Sequence, residues 1–295
     1  MSEDRSTQKP LSDEQIRSVL PAFFGSIEDC QWSAIKQGNI NDTFLASSKQ
    51  KSLIVQCING EVFPFPEGVA VNSALVSAHI RAVQSAATNV IFPEIVTTVD
   101  GENYYKDGQG RVWRAQKYIK NTKAYEKLKS QGQAFEIGKC LGQFHRIVQN
   151  LPPADLTATL PDFHNLPKYF SSFNSSWSTY SQSSSDELLF CVECISENRQ
   201  NINFFRDAVQ RGDLQVAVTH GDPKVSNVLF DMKSDRALTL IDLDTVGPGL
   251  ILQDIGDCLR SCCCRKGEKV FDARIEWEPE LDAQACAGYL QENEL

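Results

Sequence analysis

The chain has 295 residues, 41% of them hydrophobic and 23% charged, which suits a soluble globular protein of one or two domains. Its net charge is −9 and it has no long lysine and arginine run, which argues against a nucleic acid polymer as partner. No stretch reaches the roughly 18 apolar residues of a membrane span, and the opening MSEDRSTQKPLSDEQ is too polar for a secretion signal, so a cytoplasmic protein that does not enter membranes is expected.

After that polar opening, residues 32–58 read as a β-ribbon broken at its tip by GNIND. Residues 71–83 place apolar or small side chains at 71, 74, 75, 78 and 82, the spacing of one helix face. Two strand-like runs follow, 89–98 and 104–118, with the turn signals VDGE and KDGQG. From Lys123 the pattern turns helical, and Phe135, Ile137, Leu141, Phe144, His145 and Val148 share one face. The switch predicts a boundary at 119–122, between a β-rich unit with one helix (1–118) and a mainly helical unit (119–295).

Between 171 and 187 nine of seventeen residues are serine, which predicts a solvated loop or flexible helix connection without chemistry of its own. Residues 216–218, 228–230 and 238–241 then read as short strands, with DMKSDR as the turn between the last two. The ten cysteines include one isolated CxxC, Cys191 and Cys194, and the consecutive Cys262, Cys263 and Cys264. A structural zinc site needs four convergent ligands, so these read as free thiols in a reducing compartment.

The strongest chemical signal is THGDPKVSNVLFD followed by LTLIDLDTVGPG. Phosphoryl transfer to a hydroxyl needs a carboxylate beside the attacking oxygen, a divalent ion on the phosphates, and donors for the spreading charge. Asp222 stands in a turn after a strand, where it could accept the hydroxyl proton, and Asn227 follows at the spacing between base and metal-binding amide in kinase catalytic loops. The hairpin VLFDMKSDRALTLID returns Asp242 to the same end of the sheet, so that it could share magnesium with Asn227. Lys224 could offset charge on the moving phosphoryl group. The plainer alternative is a polar turn whose carboxylates cap backbone amides, which does not account for the paired spacing.

The run HGDPKVSN, a hairpin and then IDLD resembles the Brenner motif of the aminoglycoside phosphotransferase and choline kinase family. GNINDTFL, IVQCINGEVF, PDFHN and VLFD…LIDLDTVGPGLILQDIGD resemble, in order, stretches of its N-acetylhexosamine 1-kinase-like sugar kinase branch, and together they cover most of residues 38–257. The resemblance implies an α+β, bilobal protein-kinase-like fold with a small β-rich N-terminal lobe and a larger, mainly helical C-terminal lobe. It implies ATP and Mg2+ as cofactors, a small-molecule hydroxyl acceptor, most simply a sugar or amino sugar, and no obligate protein partner. Carried over by position, Asp222 is the catalytic base and Asn227 and Asp242 are the metal ligands. Gly38, Asn39, Asn41 and Asp42 form the loop over the nucleotide phosphates, for which a plain hairpin turn stays open as the alternative. Gln116 and Tyr118 belong to the hinge that meets adenine.

Two departures stand out. Kinase-like folds pair a third-strand lysine with a helix glutamate, but IVQCIN offers Gln56 at that place and the helix at 71–83 has no glutamate. Relatives also tend to continue with further helices beyond the point where AGYLQENEL closes this sequence. Asp162 and His164, on a loop between prolines, are candidates for substrate contact; Asp244 is a candidate for metal or acceptor contact, with turn capping as its alternative. His220 reads as a brace for the catalytic loop, His145 as a core histidine, and Asp254 and Asp257 as complements of a helix dipole. The residues leave three readings: a sugar kinase, a kinase for an aminoglycoside, choline or homoserine-type acceptor, and a non-catalytic nucleotide-binding pseudokinase, the last motivated by Gln56 and the early end.

Overall fold

Ser12 opens the first helix, α1 (Asp13–Phe24), by a reciprocal cap in which its hydroxyl accepts from the Gln15 amide at 3.3 Å and Gln15 Oε1 accepts from the Ser12 amide at 2.9 Å. This is seen in a computed structural model, which describes residues 11–35, 40–83, 91–264 and 276–293. Ile16, Val19, Leu20 and Phe23 are buried along one face of α1, so the polar opening gives way at residue 13 to an amphipathic helix.

The expected ribbon forms as three antiparallel strands, β1 (Gln31–Ala34), β2 (Asp42–Ser47) and β3 (Ser52–Cys57), with Ser47 opposite Ser52. The second turn escapes the sequence reading because it contains no glycine or proline. Ser48 makes it, accepting from the amides of Gln50 and Lys51, both at 3.3 Å. Helix α2 (Pro66–Val83) starts at Pro66 rather than at 71, proline being at home in a first helical turn. The strand-like runs contract to β4 (Ile95–Val96), β5 (Tyr105–Lys106) and β6 (Val112–Lys117). These complete a six-stranded sheet in which β6 pairs β3 on one side and both β4 and β5 on the other. Phe44, Ala46, Leu53, Val55, Trp113 and Ala115 pack there against α1.

Next come β7 (Thr122–Ala124), α3 (Gln131–Val148), α4 (Leu166–Thr179), α5 (Asp186–Glu197) and α6 (Phe204–Arg211). Then follow β8 (Ala217–Thr219), β9 (Val228–Asp231), β10 (Ala237–Leu240), β11 (Gly247–Gly249), α7 (Ile251–Cys262) and α8 (Pro279–Glu292). The β9–β10 hairpin adds β7 at its edge, and β8 pairs with β11. The larger core gathers around α3, with Ile137, Leu141 and Phe144 against Val218, Phe230, Leu240 and Tyr289. Helices α3 and α8 cross at glycines: a Cβ on Gly138 would overlap the Ala285 carbonyl oxygen, and one on Gly288 the Phe135 carbonyl oxygen.

The serine-rich stretch is a correction: most of it is helix α4. Ser175 and Ser178 hydroxyls donate to the carbonyls of Ser171 and Ser175 at 3.1 and 2.9 Å, so the serines satisfy themselves within the helix. No residue of α4 or α5 is buried, which keeps the segment solvated. Among the described residues no helix is long and apolar enough to cross a membrane.

Candidate active site

Strand β8 delivers the chain into His220–Gly221–Asp222. Gly221 has φ +86°, and a Cβ there would lie 2.7 Å from the Thr245 carbonyl oxygen, so both conformation and space call for glycine. Asp254, on α7, holds this turn from behind: its carboxylate accepts from the His220 amide at 2.6 Å, the Gly221 amide at 2.8 Å and His145 Nε2 at 2.9 Å. Burial alone would raise the pKa of Asp254, but the hydrogen bonds from His145 and the Gly221 amide hold it below the ordinary carboxylate value. His145 Nδ1 faces the Tyr289 hydroxyl at 2.9 Å.

His220 is fully buried and braces the turn, as its position predicts. Its Nδ1 accepts from the Asp222 amide at 3.4 Å, which leaves the proton on Nε2 to donate to the Ile241 carbonyl at 3.0 Å. Burial lowers its pKa from the ordinary histidine value. The turn is thereby tied to Ile241, between the end of β10 and Asp242.

Asp222 Oδ2 accepts from Lys224 Nζ and, at 3.1 Å, from Asn227 Nδ2, which also donates to the Asp222 carbonyl at 2.8 Å. Because Asn227 commits its nitrogen inward, its Oδ1 points elsewhere and is available to a cation. The Ile241 amide donates to the Asn227 carbonyl at 2.8 Å, so Asp242 leaves β10 next to Asn227, in the left-handed region (φ +69°, ψ 63°). Burial first, then the neighbouring carboxylates of Asp244 and Asp222, push the Asp242 carboxyl up to about 7 against the pull of Arg114 and Lys224. An anion so placed is relieved by a cation. Among the described residues no three His, Cys, Asp or Glu side chains form a ready-made metal site. An amide oxygen with one such carboxylate suits magnesium, which takes few protein ligands and completes its shell from phosphates and water.

Asp244 is only 4% exposed and is engaged within the protein. It forms an ion pair with Arg114 of β6, accepts from Asn41 Nδ2, and its carbonyl accepts from Thr159 Oγ1 at 2.9 Å. Asn41 Oδ1 in turn accepts from the Asn59 amide at 3.0 Å. Gln56 is also engaged: its Oε1 accepts from Arg114 Nε and Nη2 at 3.1 and 2.9 Å, and its Nε2 donates to Thr43 Oγ1 at 3.2 Å. With α2 starting at Pro66, the helix does hold a glutamate, Glu67, but it pairs with Lys106 at 2.5 Å on the outer side. Asp42 opens β2 opposite Cys57, its carboxyl raised by burial against the pull of Arg111. Gly38 and Asn39 lie outside the described residues.

At the expected hinge, Gln116 is half-buried on β6 opposite Ile54 and Ile95, and Tyr118 is partly exposed. The amides of Lys117 and Tyr118 donate to Glu94 and Ser52 at 2.9 and 3.0 Å, so both are already used within the protein.

A cavity of about 150 Å³ opens beside Gly221, with Thr159, Thr219, Thr245 and Gln253 also in its wall. The PDFHN loop forms the other side. Asp162 and His164 adopt φ of +63° and +56°, a conformation that costs of order 1–3 kcal/mol at a non-glycine residue and so marks a loop held by its surroundings. What holds it is His164: Nε2 donates to the Gly221 carbonyl at 3.0 Å, and its own carbonyl accepts from Gln253 Nε2 at 3.1 Å. Asp162 is at the exposed rim. The sequence reading missed Asp254 as the anchor of the loop, and Arg114 entirely; a lone arginine inside the apolar run VWRAQ was the legible signal.

A model of the phosphotransferase enzyme family matches residues 31–294. Among solved structures, this chain is similar to a microcompartment-associated aminopropanol kinase (17% identity, TM-score 0.68, covering 96% of this chain and 82% of that one). It is also similar to an aminoglycoside phosphotransferase from Alicyclobacillus acidocaldarius (15%, 0.65, 97% and 79%). A third is aminoglycoside 2'-phosphotransferase-IIIa, solved as its GDP complex (11%, 0.62, 95% and 83%). At such identities the likeness speaks to fold, and that fold is the bilobal protein-kinase-like one expected from the sequence.

Proposed function

The chain belongs to the phosphotransferase enzyme family, and from that premise we propose that it transfers the γ-phosphoryl group of ATP to a hydroxyl of a sugar or amino sugar. The observation that carries the reading is the shared loop of Asp222, Lys224 and Asn227, tied through the Asn227 carbonyl and His220 to the strand that ends at Asp242. In this reading residues 1–118 form the nucleotide lobe and 119–295 the catalytic and acceptor lobe.

The acceptor hydroxyl gives its proton to Asp222 as its oxygen forms a bond to the γ-phosphorus. The bond from that phosphorus to the β,γ-bridging oxygen breaks, and ADP leaves. Lys224 holds Asp222 in place and offsets negative charge nearby. Asn227 fixes the base by donating to both its carbonyl and its carboxylate. Magnesium, when bound, would neutralise the phosphate oxygens, and Asn227 and Asp242 are the residues that would hold it. The sugar acceptor rests on the resemblance of GNINDTFL, PDFHN and LIDLDTVGPG to the sugar kinase branch.

The test is ATP turnover over a panel of sugars and amines, followed by mass spectrometry, with Asp222→Asn alongside the native chain. Loss of the base should cut the rate about 10²–10⁴-fold; equal rates would defeat the assignment. A second reading, an amino alcohol or aminoglycoside acceptor, is favoured by the exposed carboxylate of Asp162 at the cavity rim. A cationic acceptor should lose rate with added salt, whereas a neutral sugar should not.

A further inference from the structure

Arg114 lies on β6 directly opposite Gln56 on β3, and its side chain is 1% exposed. Its fork is spent on three elements at once: Gln56 on β3, Ser73 on α2 through Nη1 at 2.7 Å, and Asp244 in the turn after β10. Ser73 stands on the inner face of α2, where its hydroxyl also reaches the Val69 carbonyl at 2.8 Å and the Leu243 carbonyl at 3.4 Å. Asp244 passes the contact on to Asn41, next to the GNIND tip.

A buried guanidinium is stable only when its donors are matched and its charge is paired, and one that ties a sheet, a helix and a turn fixes their relative placement. Kinase-like folds usually join the same three parts through a lysine on the third strand and a glutamate on the helix. Here the third strand carries an uncharged amide, and the helix presents Ser73 inward while Glu67 pairs outward with Lys106.

We propose that Arg114 is a positioning residue that supplies, from the neighbouring strand, the buried positive charge that Gln56 lacks, and that through Asp244 it holds the Asp242 turn and the Asn41 segment in register with the small lobe. The nucleotide part of this inference rests on the kinase reading above; the structural coupling does not.

The test follows amide hydrogen exchange of the full chain in Arg114→Gln and in Arg114→Gln with Gln56→Lys, which returns a cation to the third strand. Exchange should quicken about tenfold or more at residues 243–246 and around Asn41 in the single variant, and recover in the double variant. Unchanged exchange, an even rise across all elements, or no recovery in the double variant would overturn the proposal. Should Arg114→Gln not fold, Asn41→Ala decides, since it removes the second donor to Asp244 along with the acceptor of the Asn59 amide: local quickening at 243–246 supports the coupling and an unaltered pattern there refutes it. Calorimetry with Mg·ATP on the same proteins should show Kd about tenfold weaker in the single variant and restored in the double; equal Kd values contradict the nucleotide part. If the native chain binds no Mg·ATP, the kinase reading fails, while the exchange pattern still decides the role of Arg114.

Discussion

The backbone amide of His220 donates to Asp254 Oδ2 at 2.6 Å across 34 residues of sequence, and this bond, with its neighbour from Gly221, sets the catalytic turn on the start of helix α7. Replacing Asp254 by Asn keeps the shape but puts a donor where three donors converge. The expected result is a loss of about 2–4 kcal/mol in denaturant unfolding, because a buried donor is left facing another donor. The depressed pKa of Asp254 gives the sign of the pH effect: the native carboxylate contributes stability above the ordinary value of 3.8 and loses it as pH falls through its lower native value. The gap between native and variant stability should therefore narrow in acid.

Glycines at the α3–α8 crossing should behave oppositely to a solvent-facing one. Gly138→Ala would drive its methyl into the Ala285 carbonyl, and a loss of about 3 kcal/mol or more is expected. Gly256→Ala, on the exposed side of α7 with open space around it, should stabilise the chain by about 0.5–1 kcal/mol. Thermal melts of the two variants check both signs.

Asp235 offers a pH test away from the proposed active site. It accepts from the Tyr125 hydroxyl at 2.6 Å, pairs with Lys123 at 2.9 Å and accepts from Gln133 at 2.8 Å, and these bonds lower its carboxyl to about 2. The native pKa is depressed, so its contribution is complete above about pH 4 and disappears between there and pH 2. The side chain is partly exposed, which limits the contribution to about 1 kcal/mol. Asp235→Asn should preserve the left-handed backbone (φ +59°), lower stability at neutral pH by about that amount, and match the native chain near pH 2.

Asp242 should govern the metal requirement. Asparagine tolerates its left-handed backbone, so Asp242→Asn removes charge without forcing the turn to change. The magnesium concentration for half-maximal ATP turnover should rise about 10–100-fold. A magnesium titration that superimposes on that of the native chain would separate Asp242 from the ion.

The β9–β10 hairpin and the strand before the catalytic turn were legible because each is a short apolar run bounded by polar turn residues. Helix α1 and the turn at Ser48 were missed for different reasons. A polar opening hid the face of Ile16, Val19, Leu20 and Phe23, and a serine turn has none of the glycine or proline that marks a turn in a linear reading. The helical state of the serine-rich stretch was hidden because serine bonds back to its own helix as readily as it stays in a loop. For Asp254 the linear pattern offered only a helix dipole, since the turn it holds is far along the chain.

By itself the sequence determined the local chemistry: THGDPKVSN and LIDLD place a carboxylate, an amide and a second carboxylate on one loop and one hairpin, a spacing enforced by few bonds of backbone. Tertiary structure alone decided what Arg114 and Asp244 do, because they lie 130 positions apart and meet only when β6 is in register with β3 and the turn after β10 packs beneath them. A buried charge takes its meaning from the partners that desolvation forces it to find, and that choice depends on which surfaces face each other after folding.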